Sequence, residues 1–173
     1  MTVKPYQILI LCTGNSARSI MAEAIINTLG AGRFVAHSAG SQPAGRVHPL
    51  ALEKLSAIGY PTAQLRSKSW DEFAAADAPQ MDFIITVCDN AAGETCPLWP
   101  GQPISAHWGF PDPAAVQGSE AEQRAAFEQV FQRITQRVRL LLDLPLASLD
   151  ALAIQRELQN IGQQDAGAQH ELF

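Results

Sequence analysis

The stretch Cys12-Thr13-Gly14-Asn15-Ser16-Ala17-Arg18-Ser19 puts a thiol, small polar residues and a guanidinium in one short loop. It lies between the apolar run Tyr6 to Cys12 and the stripe Ile20, Met21, Ala24, Ile25, Leu29. A strand followed by a helix N-terminus is where open α/β sheets bind ligands. A loop there can turn the successive amides of Thr13, Gly14, Asn15, Ser16 and Ala17 inward, making a nest for a tetrahedral oxyanion. Gly14 and Asn15 suit the positive φ that such a turn demands. Arg18 can fork onto two anion oxygens, which a lysine does less well. Those donors and the helix dipole are expected to stabilise the Cys12 thiolate and lower its pKa, and Ser19 is placed to donate its hydroxyl to the same sulfur. A thiolate facing a held oxyanion is arranged for attack on phosphorus or arsenic. The alternative, a buried cysteine at a strand end, leaves the glycine, asparagine and arginine unexplained.

Such chemistry needs an acid for the departing oxygen. Asp112, between Pro111 and Pro113, can supply it from a loop, although aspartate among prolines also serves as a turn former. Cys88 ends a second apolar run, Asp82 to Cys88, and Cys96 follows in a Gly-containing loop. A hydrolase needs one thiolate, whereas a reductase must export two electrons and needs a second thiol to attack the first. The thiols suggest a relay from Cys12 to Cys88 and then Cys96. Core packing for Cys88 and a neutral loop thiol for Cys96 are the alternatives. A zinc site with His107 would lack C-x2-C spacing and leave the anion loop idle.

The elements that must position these groups follow from periodicity. Tyr6–Cys12 and Asp82–Cys88 read as strands buried on both faces, with weaker strands over Arg33–Ser38 and Pro103–His107. Helices follow Ser19, closing at Gly30, and His48-Pro49, with Leu50, Leu52, Leu55 and Ile58 inside. Capping boxes Ser69-x-x-Glu72 and Ser119-x-x-Glu122 open a short helix to Ala76 and a long one to Pro145. The order β-α-β-α-α-β-β-α implies a parallel sheet with helices on both faces. Residues 1–145 are expected to form the catalytic domain, and residues 146–173 a peripheral, partly helical, Gln-rich tail.

The 173-residue chain is 47% hydrophobic and 17% charged, with net charge −5. It can build a core, and it lacks the basic surface of a nucleic-acid binder. No apolar run approaches the ~20 residues of a membrane span, and the N-terminus does not read as a signal peptide. Three cysteines, an odd number, fit a reducing compartment better than a disulfide scaffold. A cytoplasmic protein is expected.

With Cys12 to Ser19, His37-Ser38-Ala39-Gly40-Ser41 after the second strand, and Asp112-Pro113, the chain resembles the low-molecular-weight protein tyrosine phosphatase superfamily, including its arsenate reductase branch. The resemblance covers roughly residues 6 to 144. It implies a flavodoxin-like, three-layer α/β domain with a four-stranded parallel sheet ordered 2-1-3-4. It also implies Cys12 as nucleophile, Arg18 as oxyanion ligand and Asp112 as general acid. The substrate would be arsenate or a phosphate-like oxyanion. No cofactor is expected; electrons would come from a thioredoxin-like protein, or from glutathione or mycothiol with a glutaredoxin-type partner. Some relatives hold a potassium ion, for which Asn15, Glu23 and Ser38 are the matching residues. The alternative function is a tyrosine phosphatase or small phosphomonoesterase, although no tyrosine follows Asp112-Pro113-Ala114-Ala115 to sandwich an aryl ring. A non-catalytic oxyanion sensor would not need Asp112.

Overall fold

Residues of β1 (Tyr6–Leu11) alternate between two faces of a sheet, and from Ile8 on both faces are buried, which explains its near-continuous apolar run. Ile8 and Ile10 point into the larger core, Leu9 and Leu11 into the smaller, and all four are fully buried. A computed structural model describes residues 4–88, 99 and 101–163 of the protein. Its sheet is parallel throughout and ordered β2-β1-β3-β4, with β2 at Phe34–Ala39, β3 at Phe83–Thr86 and β4 at Ile104–His107. This is the expected topology.

Helices cover the two faces unequally. The larger core holds α1 (Arg18–Leu29), α2 (Pro49–Ala57), α4 (Glu120–Leu142) and α5 (Ala151–Gly162). On the other face, the four-residue α3 (Asp71–Ala74) contributes Phe73, joined by Met81, Trp70 and Trp99. The Ser119 capping box forms with both of its hydrogen bonds. The Ser69 box does not: Trp70 is the N-cap of α3, and the Glu72 carboxylate goes instead to the Arg66 guanidinium at 2.5 and 2.9 Å. A charged fork outcompetes a single backbone N–H for that carboxylate. In α2 the buried residues are Ala51 and Leu55, while Ile58 lies past the helix end, 41% exposed.

The chain from Leu146 to Gln163 is packed rather than peripheral. Helix α5 buries Ile154, Leu158 and Ile161, and the carbonyl of Leu158 accepts the Trp108 indole N–H at 2.9 Å. A Cβ on Gly162 would lie 2.1 Å from the His107 carbonyl oxygen, so α5 sits directly on the end of β4. The last ten residues of the expected tail, 164–173, lie outside the described residues. No described helix is long and apolar enough to cross a membrane.

Candidate active site

The parallel register pairs Leu11 with Thr86, so the residues after β1 and β3 emerge side by side at the sheet's carboxyl edge. The next ladder bond, from Val87 N–H to the Leu11 carbonyl, measures 2.9 Å. Cys12 and Cys88, 4% and 3% exposed, therefore meet although 76 positions separate them. Both are free thiols, and their side chains are hydrogen-bonded.

Neighbouring segments turn the loop after Cys12 inside out. Its carbonyls face outward and are occupied: Gln42 N–H donates to Thr13 at 3.0 Å, Ala44 to Gly14 at 2.9 Å and His48 to Ser16 at 2.8 Å. The Ser67 hydroxyl also donates to the Gly14 carbonyl, at 3.0 Å. With carbonyls pinned outward, amides are left to the interior. No described side chain caps α1, whose N-cap is Ala17, so its first-turn amides extend the donor set. The positive φ falls on Asn15 (46°) alone in this loop; Gly14 is not in the left-handed region. Gly40 has the tighter requirement, since a Cβ there would lie 2.3 Å from the Thr13 carbonyl oxygen and 2.6 Å from that of Cys12.

Cys12 itself is not the low-pKa thiol the sequence suggests. Its pKa is raised, first by the hydrogen bond with Cys88, then by burial, and further by Cys88 charge. Arg18 and the Gly14 amide pull it down without prevailing. Two hydrogen-bonded buried thiols titrate as a pair, and the Thr13 amide donates to Cys88 Sγ at 3.3 Å. The Ser19 hydroxyl accepts from Asn15 Nδ2 at 2.8 Å and makes no hydrogen bond to Cys12 among the described residues.

Arg18 and Asp112 lie close together. An Arg18 guanidinium nitrogen lies 3.8 Å from Asp112 Oδ2, and another donates to the Phe110 carbonyl at 3.0 Å. Asp112 is 44% exposed and its other oxygen accepts from Ala114 N–H at 2.9 Å, capping a short 3-10 turn at Pro113–Ala115. It is thus a turn former and an acid-bearing loop residue at once. Arg137, from α4, supports this loop: it donates to the Gly109 carbonyl at 2.9 Å and stacks on the Phe110 ring at 4.4 Å. Its sequence context, inside a long helix, carried no sign of that role.

Trp108 and Phe110 are packed away at 1% and 5% exposure and line no aryl site. His37 and His107 are structural, bonded to Gln7 Oε1 at 2.8 Å and Thr86 Oγ1 at 2.7 Å. Cys96 lies outside the described residues.

The potassium candidates do not fit that ion. Ser38 donates to Glu23 Oε1 at 2.6 Å, and the Lys68 ammonium faces the same oxygen at 3.9 Å. Asn15 Oδ1 accepts the Lys68 backbone N–H at 2.9 Å. A cation already stands against the carboxylate. Burial raises the Glu23 pKa and lowers that of Lys68, while each partner opposes the shift of the other.

A curated arsenate reductase of Halalkalibacterium halodurans is 35% identical over 129 residues, covering 75% of this chain and 89% of its own. A solved arsenate reductase in its phosphate binding state is 30% identical, with a TM-score of 0.58 over 78% of this chain and 97% of that one. A thioredoxin-dependent arsenate reductase of Corynebacterium glutamicum shares the fold, with a TM-score of 0.61 at 24% identity over 86% of this chain and 66% of that one. Residues 7–159, from the strand before the thiol loop into the helix that backs Trp108, match the low molecular weight phosphotyrosine protein phosphatase family, and the protein belongs to it.

Proposed function

We propose that the protein reduces arsenate to arsenite by a thiol relay. The observation that carries this reading is the second buried thiol, Cys88, hydrogen-bonded to Cys12 and to the Thr13 amide. A phosphatase has no use for it. Arsenate enters the loop against the inward amides and Arg18, and Cys12 Sγ attacks arsenic. An As–S bond forms, and the departing oxygen takes a proton from Asp112 and leaves as water. Cys88 then attacks Cys12 Sγ. The S–S bond forms, the S–As bond breaks, and its electron pair stays on arsenic, which leaves as As(III) arsenite. Two thiols have given two electrons.

The hydrogen bond between the thiols bears on this sequence. Cys12 is held protonated by its hydrogen bond with Cys88 and by burial; transfer of its proton as an anion enters beside Arg18 arms the nucleophile. Regeneration requires an external thiol. The thioredoxin-dependent relative supports a thioredoxin-like reductant, with glutathione or mycothiol and a glutaredoxin-type partner as the other route. Cys96 is proposed to carry the disulfide outward from Cys88. A reduced thiol pair at the active site suits a cytoplasmic setting.

The test is thiol counting and disulfide mapping after one equivalent of arsenate with no reductant present. Loss of two thiols per chain, with Cys12 bridged to Cys88 or Cys88 to Cys96, is expected. Unchanged thiols, together with aryl-phosphate hydrolysis equal in wild type and Cys88→Ser, would replace the reductase by a phosphatase.

A further inference from the structure

Lys68 touches Asn15, Gly40 and Glu23, three residues at or beside the oxyanion loop, although it is fifty residues away from the loop in sequence. Its backbone N–H is the donor to Asn15 Oδ1, the side chain of the one left-handed residue in the loop. Its carbonyl accepts from Gly40 N–H at 2.9 Å, and Gly40 is the residue packed against the Cys12 and Thr13 carbonyls. Its ammonium donates to the Arg66 carbonyl at 3.1 Å and faces Glu23 Oε1. Both charged side chains are nearly buried, 11% exposed for Lys68 and 13% for Glu23. Glu23 in turn holds Ser38 at the end of β2, next to β1.

We propose that the Lys68 ammonium is a built-in cation of the loop: a positioning residue that neutralises Glu23 beside the Asn15 turn, which the Lys68 main chain holds, so that the loop is formed without a bound potassium ion. The idea rests on the oxyanion reading of the loop but not on arsenate turnover. A buried carboxylate needs a positive partner, because an unpaired charge in a low-dielectric setting is costly. A covalently attached ammonium meets that need at any ionic composition, whereas a bound ion is lost when its concentration falls. The main-chain bonds of Lys68 survive a side-chain substitution, so the contribution of the ammonium can be isolated.

The experiment measures inorganic phosphate affinity by calorimetry, and Tm, in potassium chloride and in choline chloride of equal ionic strength. Wild type is expected to give the same values in both salts. Lys68→Met is expected to bind phosphate roughly tenfold more weakly in choline and to melt roughly 6–15 °C lower, with potassium recovering most of both losses. Lys68→Met combined with Glu23→Gln removes both charges, guards against a single variant that fails to fold, and is expected to melt above the single variant and ignore potassium. A saturable potassium gain in wild type would overturn the proposal. So would a Lys68→Met variant with unchanged phosphate affinity, or with losses that potassium does not repair. Should wild type bind neither phosphate nor arsenate, the oxyanion reading itself fails, and the Tm contrast between the salts still decides the role of the ammonium.

Discussion

The amide of Thr13 donates to Cys88 Sγ at 3.3 Å, although Thr13 directly follows the expected nucleophile. The first amide of the oxyanion loop therefore serves the second thiol, and the hydrogen bond between Cys12 and Cys88 is the first cause holding the Cys12 pKa up. Which sulfur is ionised is decided between them rather than by the loop alone.

Removing Cys88 tests that coupling. In Cys88→Ala the largest cause raising Cys12 disappears, leaving burial opposed by Arg18 and the Gly14 amide. The midpoint of the pH dependence of Cys12 alkylation by iodoacetamide is expected to move to lower pH than in wild type, while arsenate turnover is lost. A midpoint that stays put or rises would show that the hydrogen bond between the two thiols does not hold the Cys12 pKa up.

Arg18→Lys keeps the charge and loses the fork. Phosphate affinity is expected to fall about tenfold, a difference typical of losing a charge-assisted bond. Calorimetry at fixed pH and salt measures it. Unchanged affinity would mean that the guanidinium stays committed to Phe110 and Asp112 when the anion binds.

Asp112→Asn preserves an acceptor for the Ala114 N–H while removing the transferable proton. Turnover is expected to drop by about 10²–10⁴-fold, with little change in Tm because the side chain is half exposed. Steady-state kinetics beside a thermal melt separates the two effects. Full activity in the variant would leave the loop to anion binding alone.

His37 links stability to pH. Burial, and then the Lys68 charge, lower its pKa in the folded protein, so the unfolded chain binds its proton more readily. Its contribution is present above the unfolded value of about 6.5 and is lost as pH falls through and below it. His48 shifts the same way, burial again being the first cause. Denaturant unfolding at pH 7.5 and 5.5 is expected to show a smaller acid loss in His37→Gln than in wild type. Equal losses would assign the acid limb to other groups.

The long helices, the buried strands and the residues of the anion loop were legible in the sequence because each depends on local properties, whereas the sheet order followed from the family resemblance. Burial on both faces makes a continuous apolar run, a 3.6-residue period makes a helix, and a turn of small polar residues between them makes a donor loop. The Ser119 capping box obeyed its motif, whereas the Ser69 box lost its glutamate to Arg66, a partner that a four-residue pattern does not contain. The segment after Leu146 looked peripheral because it carries five Gln in 28 residues, yet three apolar residues on one face of α5 suffice to bury it against Trp108.

Cys12, Arg18 and Cys88 were chosen by chemistry from residue types and the ends of strands, and Asp112 with the help of the family resemblance. Tertiary structure decided the rest: that the two thiols hydrogen-bond to each other, that Cys12 is thereby raised instead of lowered, and that an ammonium stands against Glu23, one of the residues matching the potassium site of some relatives. The physical reason is distance. Proton affinity and charge pairing are fixed by groups a few ångströms away, and here those groups come from segments 76, 53 and 45 positions apart (Cys12 with Cys88, Asn15 with Lys68, Glu23 with Lys68), which only the parallel packing of β1, β2 and β3 brings together.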